Sequence, residues 1–213
     1  TSCLLLGPPP PDVISTKDLQ TVVCEIPGTR GGYLQKVTDP AYANSDAVLE
    51  TDGAIAVGRI RQTIKEPASD ADKDEKVEMR GWIQFNLSTF IPQNASITKV
   101  EFTPTSIEGG FQTVNEVDVV APNAAATGDI KFDITQMGDN NYAPYNAFNN
   151  RAYDDLYEVK YNDFVIGSNA TGAKTDLGPQ AVLDAQRRLE NGGLFQLGLT
   201  LSGTDFDVPV FQF

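Results

Sequence analysis

Short runs rich in Val, Ile, Thr and Phe, separated by Gly, Pro, Asn and Asp, are the main pattern of the sequence from about residue 21 onward. Such a pattern predicts β-strands joined by turns. The clearest run spans residues 81–87, in which Ile83 and Phe85 share one face while Trp82 and Gln84 share the other, a face predicted to be wet. Similar runs predict strands at residues 54–64, 96–103, 116–121, 129–134, 156–166, 194–201 and 207–213.

One helix is predicted between Pro179 and Gly192. Pro is favoured in the first turn of a helix and Gly just beyond its end. Within this segment Val182, Ala185 and Leu189 form one apolar stripe.

About eight to ten strands of irregular spacing with one short helix predict an all-β fold, a jelly-roll-like β-sandwich. Residues 1–20 contain a polyproline run, so we expect an extended Pro-rich N-terminal arm. Residues 21–213 are expected to form a single sandwich domain, with an aromatic and Asn-rich insertion at about residues 139–164.

Composition limits the classes of function. The sequence contains no His, and 16 Lys plus Arg stand against 29 Asp plus Glu, which gives a net charge of −13. Without His there is no His-activated nucleophile and no His-ligated zinc, so we expect no enzyme. Scattered cations in an acidic chain argue against a nucleic-acid partner and an anionic membrane surface, and no apolar run reaches the roughly 18 residues of a membrane span.

Cys3 and Cys24 are the two cysteines of the chain. In an oxidising compartment they could form a disulfide that closes a loop of about 20 residues and contributes about 3 kcal/mol in the chain-entropy model. The bridge would tie the arm to residues 21–26. The alternative is a pair of unrelated thiols.

Several segments follow one another in a recognisable order. They are an Asp46-Ala47 start, a Val57-Gly58 strand, RGWIQFNLSTFIPQNASITKVEFT at residues 80–103 and AVLDAQRRLENGGLFQLGLTLSG at residues 181–203. Together they resemble the DNRLRE (disaggregatase-related) modules of extracellular microbial proteins, over about residues 44–213. The resemblance implies a jelly-roll sandwich in a secreted or surface-anchored protein, in some cases assigned to polysaccharide binding, and it implies no catalytic site. The chain departs from the family pattern at Asn86, where Asp is usual, and at Asn94, where Gly is usual.

An acidic run gives the one candidate for a metal ion. Asp70, Asp72 and Asp74 have the spacing of carboxylates in a calcium loop. An EF-hand is excluded because its sixth position requires Gly, where Glu75 stands. A looser calcium site and a solvated acidic loop both remain open, and residues 66–78 are expected to form an exposed loop. We expect no other cofactor.

The insertion is rich in tyrosine. Aromatic rings beside amide and carboxylate groups suit a sugar site, because a ring stacks on the apolar face of a pyranose while polar groups bind its hydroxyls. The same rings could instead pack the insertion onto the sandwich or form a subunit contact. These candidate sugar or interface aromatics are Tyr142, Tyr145, Tyr153, Tyr157 and Tyr161.

Asn86, Asn94 and Asn169 each begin an Asn-X-Ser/Thr glycosylation sequon. Three sequons are not a significant excess over chance for this composition. Asn94 is predicted to lie in a turn and Asn169 in a Gly-flanked loop, whereas Asn86 is accessible only if the wet face of its strand is open.

The leading hypothesis is a non-catalytic extracellular or cell-surface structural subunit. It would assemble with copies of itself into a surface layer, filament or shell through its N-terminal arm and strand edges, such as residues 207–213. One alternative is a carbohydrate-binding module that binds polysaccharide through the Tyr-rich insertion. Another is a viral capsid or decoration protein, since jelly rolls recur there.

Overall fold

The computed structural model describes residues 21–37, 48–50, 55–65, 72–106, 108–110, 130–137, 159–167, 170–203 and 208–213. The predicted arm, the predicted strand at residues 116–121 and most of the insertion lie outside this part. In the described residues the strands are β1 (Arg30–Val37), β2 (Val48–Glu50), β3 (Ala56–Lys65), β4 (Asp72–Phe85), β5 (Glu101–Phe102), β6 (Glu108–Gly110), β7 (Ile130–Gln136), β8 (Lys160–Ile166), β9 (Thr175–Asp176), β10 (Phe195–Leu201) and β11 (Val208–Gln212). A 3-10 helix spans Leu87–Thr89, and helix α1 spans Gly178–Glu190.

Nine of these strands form one antiparallel sheet, in the order β6-β11-β3-β4-β10-β7-β8, with β1 pairing both β2 and β4. The long strand β4 organises the sheet. Along one edge it pairs with β3 as far as Met79 and then with β10 from Gly81 onward. Its other edge pairs with β1. The change of partner at Gly81 divides the sheet into a β6-β11-β3 half and a β10-β7-β8 half.

Gly81 is required at this branch because two other side chains occupy the space above it. A Cβ atom there would lie 2.5 Å from Ile55 Cγ2 and 3.0 Å from Val57 Cγ2, closer than atoms of two side chains can pack. The missing side chain therefore lets the end of β3 approach β4 where β10 takes over as its partner.

The two halves of the sheet share one hydrophobic core. Ile55 and Val57 belong to the same buried cluster as Phe132 and Phe164 of the other half. Phe213, which follows β11, contacts both of these rings edge-on, at centroid distances of 5.3 and 5.8 Å. The prediction of an all-β, sandwich-like fold is confirmed.

The prediction of a wet face on residues 81–87 is wrong. Trp82 and Gln84 are each only 1% exposed. Trp82 pairs with Gly32 of β1 on one side and with Gly198 of β10 on the other. Because neither glycine has a side chain, the indole has room beside it on this face, and the alternation in the sequence gives no sign of that space.

Three further predictions, for one loop and two strands, differ from the structure. Residues 72–78 belong to β4 and not to an exposed loop, because they pair with β3 throughout. The strand predicted at residues 96–103 is regular only at Glu101–Phe102. The C-terminal strand predicted to add to another subunit pairs within its own chain on both edges, with β3 and β6.

Helix α1 is confirmed at its predicted position. Its buried side chains are Ala181, Asp184, Ala185 and Leu189, so a carboxylate shares the apolar stripe. The helix packs beside β8, β10 and the 3-10 helix. No helix in the described part is long and apolar enough to cross a membrane.

Candidate functional site

A hollow beside helix α1 brings polar, charged and aromatic side chains together. It is small and partly open to solvent, with room for about one water molecule. We refer to it as the Asp184 hollow. Its lining residues are Gln136, Met137, Tyr161, Asp184, Arg187, Arg188, Phe195 and Gln196.

Three elements place the central side chains of the hollow. Asp184 comes from the buried stripe of α1. Gln136 is the last residue of β7, and Tyr161 lies near the start of β8. The β7–β8 register shifts between the Ile134–Asn162 and Thr135–Lys160 pairs, which leaves Tyr161 as the extra residue of a β-bulge. A bulge redirects a side chain out of the regular alternation, and here the Tyr161 hydroxyl reaches the helix.

Asp184 is 7% exposed and accepts hydrogen bonds from three side chains. The Tyr161 hydroxyl donates to Oδ2 at 2.6 Å, and the Gln136 amide donates to the same oxygen at 3.1 Å. The Gln180 amide donates to Oδ1 at 3.2 Å. Burial of a carboxylate is costly unless its oxygens are hydrogen-bonded, so these contacts account for an acid in the apolar stripe. They also hold Tyr161 and Gln136 in fixed positions.

Two arginines from the last turn of α1 lie at the rim of the hollow. Arg187 Nη1 is 3.9 Å from Asp184 Oδ1, and the Arg187 side chain is 57% exposed. The Arg188 side chain lies along Gly193, where a Cβ atom would be 3.2 Å from Arg188 Cδ. The Tyr161 ring stacks on buried Phe195 at a centroid distance of 6.5 Å.

A second group of charged residues lies inside the sheet. Arg59 Nε and Nη2 donate to Glu78 Oε1 at 2.9 and 2.8 Å, and Arg80 Nη2 donates to Glu78 Oε2 at 3.2 Å. Arg59 also donates to the carbonyls of Leu201 and Gly203. Arg59 and Glu78 are 5% and 6% exposed. This buried triad joins β3 and β4 to the turn after β10. Its role is therefore to stabilise the fold.

A third group, the charge cluster, joins β7 to β8 at the surface. Lys160 Nζ lies 2.7 Å from carboxylate oxygens of both Asp133 and Asp163, and Lys131 Nζ is 3.0 Å from Asp163. Hydrogen bonds from Lys160 and Lys131 lower the pKa of Asp163. Partial burial acts to lower the pKa of Lys160, but its bonds to Asp133 and Asp163 outweigh that effect and raise it.

The charge cluster therefore stabilises the fold over a defined pH window. The contribution of Asp163 is present above the ordinary pKa of an aspartate and is lost as the pH falls through its lowered pKa. The contribution of Lys160 is present below the ordinary pKa of a lysine and is lost as the pH rises through its raised pKa.

The structure places one of the predicted aromatics, Tyr161, in the hollow. The others, Tyr142, Tyr145, Tyr153 and Tyr157, lie outside the described residues. The backbones of Asp72 and Asp74 are part of the β3–β4 ladder and not of a tight loop, so the loop premise of the calcium site is wrong for them. Asp70 lies outside the described residues. Among the residues that the structure describes, no three His, Cys, Asp or Glu side chains group to hold a metal ion.

Cys24 is disulfide-bonded. Cys3, the other cysteine of the sequence, lies outside the described residues, so the predicted pairing stays a prediction. Asn94 is exposed in a turn, and Asn86 is half-buried, with its Oδ1 accepting a hydrogen bond from Ser88 at 2.9 Å. Asn169 lies outside the described part.

Sequence reasoning missed Gln136, Asp184 and the two arginines of the hollow. Burial of Asp184 could have been predicted, because this residue occurs between Ala181 and Leu189 on the stripe that faces the core. Gln136 carries none, since the end of a strand brings it to the helix, and the two arginines resemble the ordinary cations of a helix C-terminus.

Comparison of the chain with known protein families found no matching family model, and comparison with curated proteins found no match.

Proposed function

We propose that the chain is a non-catalytic extracellular structural subunit that assembles with copies of itself through its N-terminal arm. The observation that carries this proposal is the exposure of residues 21–28, the segment between the arm and β1. This segment has no regular secondary structure. Val22 is 45% exposed and Val23 is 77% exposed, so two adjacent apolar side chains face solvent. Burial of both against a neighbouring subunit is favourable, at about 25 cal/mol per Å² of apolar surface.

Among the described residues, the contacts that tie this segment to the sheet lie toward its C-terminal end. Ile26 packs against the core. A Cβ atom at Gly28 would lie 2.5 Å from Ile83 Cδ1, and Thr29 N donates to the Gln84 carbonyl at 2.8 Å. The valines that precede this anchored end are exposed, which suits an arm that reaches a second subunit.

Two edges of the sheet are less suited to assembly than the arm. The C-terminal strand β11 lies between β3 and β6 of its own chain. Residues 170–177 run beside the outer edge of β8, where Asn162 Nδ2 donates to the Asp176 carbonyl at 2.6 Å. In the described part, further strand edges with a single partner are those of the short strands β2 and β6 and those of residues 61–65 in β3 and 72–76 in β4.

Two other features support the proposal. A disulfide at Cys24 suits an extracellular protein, because disulfides persist in oxidising compartments. The buried carboxylates of Glu78 and Asp184 are engaged by arginine, tyrosine and glutamine side chains that hold elements together, which suits a structural task.

Light scattering coupled to size-exclusion chromatography tests the proposal. The full chain should form a multimer, and both deletion of residues 1–20 and Val23→Lys should shift it to smaller species. Leu183→Lys is the matched control, because Leu183 is also an exposed apolar residue, 61% exposed, but lies on α1. A monomeric full chain, or a deletion variant that keeps the native multimer, would overturn the proposal.

A further inference from the structure

We propose that residues 21–25 of one subunit add as a strand to the edge of β3 in a second copy of the chain, antiparallel to residues 61–65. This inference rests on the proposed self-assembly and names the surface that receives the exposed segment. In the described part of the chain, β11 pairs with β3 only as far as Arg59, so residues 61–65 pair with β4 alone. A strand edge with a single partner offers backbone donors and acceptors to a further strand.

Residues 21–25 have the composition of a strand but form no regular secondary structure in their own subunit. Thr21, Val22 and Val23 are all β-branched, which favours extended backbone. Both valines and Glu25 are exposed. When such a segment adds to a sheet edge, it gains backbone hydrogen bonds and buries apolar surface.

One antiparallel register matches the two segments in both charge and apolar character. It places Glu25 opposite Arg61, an attractive pair of charges, and Val22 opposite Ile64, an apolar pair. The full set of opposed residues is Thr21 with Lys65, Val22 with Ile64, Val23 with Thr63, Cys24 with Gln62 and Glu25 with Arg61. A parallel arrangement would instead place Val22 opposite Gln62 and lose the apolar pair.

Charge favours the edge of β3 over the neighbouring edge of β4. Residues 61–65 include two cations and no carboxylate, whereas residues 72–76 include three carboxylates and two lysines. A strand that carries Glu25 is therefore attracted more strongly to the edge of β3. Within its own subunit Arg61 lies opposite Lys76, so a carboxylate on the other side of Arg61 offsets the repulsion between two cations.

The segment does not reach this edge in its own subunit. A Cβ atom at Gly28 would lie 2.5 Å from Ile83 Cδ1, which fixes the end of the segment beside that residue. The three residues from Gly28 back to Glu25 span at most about 11 Å. Arg61 lies opposite Lys76, seven residues along β4 from Ile83 and thus about 23 Å away. Glu25 therefore meets Arg61 only in another subunit.

Exchange of the two charges tests the contact, with light scattering of the full chain over a range of protein concentrations as the measurement. Glu25→Arg and Arg61→Glu should each lower the association constant about tenfold, because each places like charges opposite each other. The double variant should regain the original association constant, because the pair is attractive again. Single variants without a loss, or a double variant without recovery, would overturn the proposal.

Lys65→Glu is the matched control, because Lys65 carries the same charge at the other end of the same edge. Combined with Glu25→Arg, it should give no recovery. Recovery would show a parallel pairing and contradict the register. A full chain that is monomeric at every concentration would refute self-assembly itself. A multimer that is sensitive to Val23→Lys but not to the charge changes would refute the β3 contact alone.

Cross-linking between two differently substituted chains tests the register directly. Val22→Cys in one chain and Ile64→Cys in the other should form an interchain disulfide in oxidised glutathione, because opposed residues of paired strands have Cα atoms about 4.5–5.5 Å apart, within disulfide range. Gln62→Cys is the control, since its diagonal position lies about 7–8 Å from residue 22. Non-reducing gel electrophoresis measures the product, and a cross-link that favours Gln62→Cys would contradict the antiparallel register.

Discussion

At the scale of single residues, the charged side chains buried in the sheet have the strictest requirement for interaction partners, because water does not reach them. Arg59 and Glu78 are almost completely buried, and Arg80 completes the triad with a side chain that is 11% exposed. Buried ions are tolerated only when each is paired and hydrogen-bonded. The single carboxylate of Glu78 bonds to both guanidinium groups, so its negative charge stabilises both.

Substitution of Glu78 should therefore be severe. Glu78→Gln keeps the shape of the side chain but leaves two guanidinium groups without their shared counter-charge, and we expect a loss of about 3 kcal/mol in the free energy of unfolding. Urea denaturation at neutral pH measures it. Glu101→Gln is the control, because it breaks an exposed ion pair with Lys99 and should cost much less stability than Glu78→Gln. Similar losses in the two variants would contradict the role of the triad.

At the scale of secondary-structure elements, the branch at Gly81 decides how the sheet becomes a sandwich. One strand, β4, serves both halves, and the ends of β3 and β10 meet beside it. Ile55 fills the space that two glycines leave, because a Cβ atom at Gly31 would also lie 2.6 Å from its Cγ1 atom. The junction thus depends on complementary side-chain sizes at Gly31, Gly81 and Ile55.

Gly81→Ala should disturb this junction. The added methyl group collides with Ile55 Cγ2, which belongs to a stiff β-branched side chain, so we expect a loss of about 1–3 kcal/mol in stability. The double variant Gly81→Ala with Ile55→Ala should lose less than the sum of the two single variants, because truncation of Ile55 makes room for the methyl group. Thermal denaturation of all four proteins gives the coupling energy, and strict additivity would show that the two side chains do not compete for space.

Prediction from the sequence succeeded where an element carries its own local signal. Helix α1 is marked by Pro179 and Gly192, and β10 by large apolar residues at every second position, so the sequence locates both well. Strand β1 was missed because Gly31 and Gly32 weaken its pattern, and it is held in place by the long ladder with β4. The sequence predicts a loop at the start of β4 because its charged residues hide a strand that pairing with β3 stabilises.

The candidate site was less predictable than the fold. Tyr161 was identified among aromatic residues of similar appearance, but its meeting with Asp184 depends on the bulge in β8. The register of two strands is a tertiary property, and no local pattern encodes it. Arg187 and Arg188 look in sequence like the ordinary cations of a helix C-terminus, where they are favoured by the helix dipole.

At the scale of the whole molecule, the excess of acidic residues opposes compactness. The described surface pairs, such as those of the charge cluster, each contribute at most about 1 kcal/mol because their side chains are partly exposed. A net charge of −13 produces repulsion among all the carboxylates together. Screening by salt weakens both this repulsion and the individual ion pairs. The gain in stability from the weaker repulsion should therefore exceed the loss from the weaker ion pairs.

Added salt should accordingly raise the melting temperature. The screening length shortens from about 30 Å at 0.01 M to about 10 Å at 0.1 M, which reduces repulsion between distant carboxylates more than attraction within close pairs. Differential scanning calorimetry from 0.01 to 0.3 M NaCl measures the change, and KCl should give the same result because screening depends on ionic charge. A melting temperature that falls with salt would show that local ion pairs dominate.

The position of Phe213 has a consequence for how the chain is synthesised. Its backbone N–H donates to the Ile55 carbonyl at 3.0 Å, and its ring closes the core against Phe132 and Phe164. Ile55 lies near the beginning of the described residues and Phe213 at their end, with Phe132 and Phe164 between them. A ribosome therefore releases the early strands long before β11 exists to complete them, and the nascent sheet stays open until β11 has emerged. Until β11 is made, repulsion between the acidic residues of the emerging chain and those of other chains opposes association.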